Sequence, residues 1–126
     1  MKKSLVSGLA VAIGLGSPVN AGQPISESLM DCAALYTMSN RLVPARPLTR
    51  KGEKLEQAAA VLQAAAERQA IIEGQANPRD YVARLCPQKQ AHWDKRGAMI
   101  VFSEEFREWM TYCRSLSRHL DLRLQN

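Results

Sequence analysis

The side chains best suited to chemistry in this sequence are three cysteines, Cys32, Cys86 and Cys113, and two histidines, His92 and His119. Thiolate and imidazole together ligate zinc or copper, and a Cys-x5-His spacing occurs twice, at Cys86 with His92 and at Cys113 with His119. On a helix six residues turn the chain so that the two side chains stand about 120° apart, whereas helical ligand pairs lie three or four residues apart on one face. The spacing argues against a metal site. Met30, Met38, Met99 and Met110 are soft enough to join a thiolate on Cu(I), but methionines at helical spacing are usually core filler. Neither histidine falls in a nucleophile motif, and no Cys-x-x-Cys, haem-attachment or Gly-rich phosphate motif is present. Glu104, Glu105 and Glu108 crowd one helical turn and read as a solvated helix start, since an acid and base pair needs carboxylates facing each other across a cleft. The expectation is a non-enzymatic chain with no catalytic residue, metal or cofactor.

The basic side chains are more informative. In "RLVPARPLTRKGEK" Arg41, Arg46, Arg50, Lys51 and Lys54 stand against a single Glu53, and Pro44 and Pro47 stiffen the connection that carries them. Such a stretch could grip an anionic envelope surface or an acidic envelope protein.

The compartment comes from the first residues. Lys2 and Lys3 precede a run of small and apolar residues from Leu5 to Gly16, then a Pro18 turn and Val19-Asn20-Ala21. A positive n-region, a short h-region and a small-x-small site are the parts of a secretory signal peptide. The run is too short for a membrane span, which needs about 20 apolar residues, and no cysteine follows Ala21 to take a lipid. Residues 1–21 are therefore expected to be a cleaved signal peptide and residues 22–126 a single domain with no membrane span. The chain carries +5 overall, and losing Lys2 and Lys3 leaves 15 basic against 12 acidic residues, a net charge of +3. The short Met-Lys-Lys start points to a bacterial periplasm or to secretion, which disfavours a nucleic-acid partner and permits a disulfide.

The elements that position these groups read as helices throughout, because period-two alternation is absent and the apolar residues recur at three and four. A first helix is expected from Ser26 or Ser28 to Asn40, with Ser28 and Asp31 approximating a capping box. A second starts at Thr49 and stops at Gly74. A third opens at Asn77 and Pro78 and ends at Cys86, because the residue before a proline disfavours the helical conformation. The fourth is the long C-terminal helix. Met99, Phe102, Phe106, Trp109, Cys113, Leu116 and Leu120 follow at alternating spacings of three and four, which predicts continuity from Gln88 to Leu122 despite Gly97. A competing signal is Ser103 followed by Glu104 and Glu105, the charge order of a helix beginning there. The fold expected is all-α, a small bundle of three to four helices.

Helix rise sets which cysteines can meet. Along a continuous fourth helix Cys86 and Cys113 lie roughly 40 Å apart, far beyond the Cα separation of about 7 Å that a disulfide tolerates. With antiparallel neighbours Cys113 comes up toward Cys32, so Cys32 with Cys113 is the expected bridge and Cys86 the free thiol. Pairings of Cys86 with either partner remain open if the fourth helix breaks.

Together these features describe an exported, non-enzymatic interaction module of inhibitor, immunity or chaperone-like type. The alternative is a thiol- or metal-responsive envelope protein using Cys86. Export carries a direct check. The intact mass of the exported chain is expected to begin at Gly22, and a membrane-bound species retaining Met1 would overturn the signal-peptide assignment.

Overall fold

The computed structural model describes residues 22–43 and 47–124. The leader assigned to residues 1–21 lies outside them, as does Arg46. Among the described residues every regular element is helical: α1 Ile25–Tyr36, α2 Met38–Leu42, α3 Arg50–Ile72, α4 Pro78–Asp94, a 3-10 segment Ala98–Phe102 and α5 Glu104–His119. This is an all-α bundle with a long C-terminal helix, as the periodicity predicts.

The first helix is the centre of the bundle. Nine of its twelve residues are buried, from Ser26 through Leu35 with only Glu27 interrupting. A helix buried on all sides needs apolar or fully partnered side chains all round, and "ISESLMDCAALY" meets this with small and apolar residues plus polar groups that find partners. The packing is mainly against α3, then α4, and over a shorter stretch α5. The face that α3 offers is Ala58, Leu62, Ala65, Ala66 and Ala70, small residues that let two backbones come close. Its ends follow the sequence. Thr49 Oγ1 accepts from the Gly52 amide at 2.9 Å, and Gly74 turns the chain away with φ +88°.

The start of α1 differs from expectation. Because the helix begins at Ile25, Ser28 and Asp31 lie inside it and are buried, and no capping box forms. Its amino end is instead capped from another helix: the Glu73 carboxylate, at the end of α3, accepts from the Ser26 amide at 3.0 Å and from the Ser26 hydroxyl at 2.5 Å. The anion meets the positive end of the α1 dipole.

The boundary between the third and fourth expected helices also moves. Pro87 lies inside α4, and the helix runs through Cys86 to Asp94. Proline removes one backbone bond and strands the carbonyl four residues back, that of Ala83. Both Ala83 and Pro87 are exposed, so the stranded carbonyl lies on a solvent-facing stretch. The opposite face carries Val82, Leu85 and Trp93, all buried, and this stripe holds the two halves of α4 on one axis.

The real break comes at Gly97, whose φ of +81° favours a residue without a Cβ. The 3-10 segment follows, and then Ser103 caps α5, its Oγ accepting from the Phe106 amide at 3.1 Å. The expected continuous helix from Gln88 to Leu122 is thus two helices, and the competing signal at Ser103 marks the start of the second. The alternating stripe persists from Phe106 onward, but Met99 and Phe102 are each 73% exposed while Ile100 is buried. Two anchors brace the break. Arg96 pairs with Glu105 across it and lies over the Trp93 ring, and this hydrogen bond from Arg96 lowers the Glu105 pKa.

The break removes the distance argument against Cys86 with Cys113, yet the sulfurs that meet at disulfide distance are those of Cys32 and Cys113. Their Cα atoms are 5.8 Å apart and both residues are fully buried. The two are separated by 81 positions, and in the chain-entropy picture a loop of that size stabilises by about 4–5 kcal/mol. Cys32→Ser and Cys113→Ser are each expected to lower Tm by about 10 °C or more, and the double variant no further than either single, because one shared interaction is removed. Thermal unfolding checks this, and a non-reducing peptide map linking Cys86 to either partner would overturn the pairing.

Candidate functional site

The basic stretch predicted from sequence does not stay together as one surface. Arg41 turns inward: its guanidinium donates twice to Asp94, at 2.8 Å each, and also to Thr37 Oγ1 at 2.6 Å and the Ala34 carbonyl at 2.9 Å. An arginine fork so engaged between α2, α1 and α4 is a structural clasp. That corrects its placement among the anion-gripping residues. The remaining described members, Arg50, Lys51 and Lys54, are exposed on the first turns of α3, where Asn40 holds the turn by donating to the Gly52 carbonyl at 3.0 Å and to Glu56 at 2.9 Å. Of these three, Lys51 borders a groove.

That groove arises because α3 and α5 both pack on α1 but leave a gap between them over its carboxyl end. Leu35, Leu55, Phe106 and Met110 supply apolar walls, Val101 closes it from the 3-10 segment, and Lys51 and Arg114 stand at the rim. Its volume is about 420 Å³, within the range of small-molecule sites. Tyr36 also faces it. Burial pushes the Tyr36 phenol above its usual pKa, and the nearby Arg114 charge partly offsets this. Among the described residues neither Lys51 nor Arg114 is paired with a carboxylate.

The free thiol occupies a different place. Cys86 is half-buried and borders a smaller cavity of about 230 Å³ between α1, α3 and α4, with Met30, Glu56 and Gln90 among its neighbours. His92 and His119 are both exposed, and among the described residues no group of three or more His, Cys, Asp or Glu side chains is placed to hold a metal ion.

Sequence reasoning missed two constellations. The first is buried: Asp31, 2% exposed, accepts from the Trp93 indole at 2.8 Å and from Gln23 at 2.9 Å, and pairs with Lys89 at 3.2 Å. A single acidic residue inside the apolar run "LMDCAALY" was the available signal. The second is the groove itself, whose Tyr36 and Arg114 belong to helices far apart in sequence, with no local pattern to join them.

No known protein family matches the chain, and no curated protein or solved structure matches it either. The geometry therefore carries the functional argument alone. Among the described residues no helix is long and apolar enough to cross a membrane.

The reassignment of Arg41 can be checked against its neighbour in the basic stretch. Arg41→Gln is expected to lower stability in urea unfolding by about 1–3 kcal/mol, since it leaves Asp94 without its partner. The exposed Arg50→Gln is expected to change it by less than about 0.5 kcal/mol. Equal and small effects would return Arg41 to the solvated surface.

Proposed function

We propose that this chain is an exported, non-enzymatic binding module whose working face is the groove between α3 and α5 together with the apolar ridge beside it. The observation that carries the reading is the 3-10 segment. Met99 and Phe102 are each 73% exposed and Val101 40%, and the segment is held in that attitude by Gly97 before it, buried Ile100 within it and the Ser103 cap after it. A fixed, solvent-facing apolar ridge adjoining a concave apolar site marks an interaction surface rather than an ordinary exposed leucine or valine. Export is supported by the tripartite leader and fits a cysteine pair at disulfide distance.

The alternative role for Cys86 as a responsive thiol rests on one half-buried cysteine and its small cavity. The groove joins four features in one place: concavity, an exposed apolar ridge, two cations without a carboxylate partner among the described residues, and a half-buried phenol.

A photo-reactive residue at Val101 tests the reading. In the native envelope it is expected to link the protein to an envelope component, whereas the same residue at the exposed Arg84 on α4 is expected not to. Equal linkage at both positions, or none at either, would return the ridge to ordinary surface.

A further inference from the structure

We infer that the groove binds a single-chain anionic amphiphile, a long-chain fatty acid, with its carboxylate held between Lys51 and Arg114 and its chain laid along Leu55, Phe106 and Met110. This deepens the binding-module reading and rests on it.

The head-group chemistry follows from the rim. Lys51 and Arg114 border the same groove from α3 and α5, and neither has a carboxylate partner among the described residues. Cations set beside an apolar wall without a counter-charge gain most from an anion that brings its own apolar body. Tyr36 lines the same groove, and the Arg114 charge acts on its phenol. An oxyanion with two acceptor oxygens can use both.

The shape of the site selects the tail. A bilayer presents a broad surface and does not enter a concave groove, whereas one acyl chain does. An amphipathic helix from a protein is about 10–12 Å across with its side chains, and two turns of it displace at least about twice the groove's volume of about 420 Å³. The walls are built from Leu, Met and Phe side chains on four helices, flexible or flat groups that adapt to a methylene chain. Met110 and Phe106 lie four residues apart on α5 and so face the groove from one side of that helix.

The test uses the mature protein and palmitate below its micellar concentration, followed by calorimetry. Saturable one-to-one binding is expected. Palmitate methyl ester, with the same chain and no charge, is expected to bind at least about tenfold more weakly, and Lys51→Gln with Arg114→Gln is expected to weaken palmitate by about tenfold or more while leaving the ester unchanged. Both positions are exposed, and circular dichroism of the variant shows whether the fold is retained. Tyr36→Phe, which removes only the hydroxyl, is expected to weaken palmitate in the same direction by a smaller factor. Absence of saturable binding, equal affinity for acid and ester, no effect of the double variant in a folded protein, or preference for vesicles of acidic phospholipid over monomeric palmitate would each overturn the inference. A crosslink at Val101 combined with no palmitate binding would leave the binding-module reading standing and remove this one.

Discussion

The carboxylate of Asp31 is the constraint on which the bundle turns. A charge at the centre of a helical core is costly unless every lone pair finds a donor, and Asp31 is supplied by the Trp93 indole, the Lys89 ammonium and the Gln23 amide. Lys89 and Trp93 are four residues apart on α4, so they reach Asp31 only while that stretch stays helical. Asp31 thus holds the stretch after Pro87 helical, while buried Val82 and Leu85 before it and Trp93 after it keep the two halves of α4 on one axis. Gln23 also donates to Ser28 at 3.0 Å, and Lys89 reaches Glu27 at 3.2 Å, so the same cluster fixes how the chain enters α1.

From Trp93 the arrangement spreads into α5. Trp93 meets Trp109 edge-to-face with ring centroids 5.6 Å apart, and Trp109 meets Tyr112 in the same way at 5.6 Å. Such contacts have preferred orientations and so transmit position as well as burial. Among the described residues the buried Trp109 indole N–H meets no acceptor. Its ring is held by the two aromatic edges rather than by a hydrogen bond, in contrast to Trp93, whose ring is fixed by both.

What the sequence made legible was what depends on local pattern. The helical class, Thr49 and Gly74 as the ends of α3, Pro78 as a helix start and Ser103 as a competing start all rest on residues whose preference acts within one turn. Pro87 and the Met99–Phe102 spacing misled because tertiary contacts override local preference there. Buried Val82 and Leu85 before Pro87 and Trp93 after it hold the helix through, and Gly97 with buried Ile100 rotates the chain so that apolar residues at heptad spacing point to solvent. Arg41 read as surface charge because its partner, Asp94, is 53 positions away, and the groove was invisible for the same reason: its lining comes from four helices and the 3-10 segment. Charge and periodicity report single elements, whereas a site between elements is decided by how they pack.

The position of the cysteine pair joins the core to the groove. Cys32 lies four residues before Tyr36 on α1, and Cys113 lies between Met110 and Arg114 on α5, so the pair at disulfide distance is about one helical turn or less from groove residues on both helices. The approach of α5 to α1 is narrow, and before it runs a glycine turn and a short 3-10 segment rather than a continuous helix. Noncovalent packing alone therefore constrains this wall of the groove less than the α1 and α3 walls. A covalent tie between Cys32 and Cys113, whose sulfurs stand at disulfide distance, would add a constraint where the spacing of Tyr36, Arg114 and Met110 is set. Where the two sulfurs are bonded, the tie that stabilises the bundle also fixes the geometry of this groove, and this is why fold stability and the binding surface are expected to respond to the same two residues.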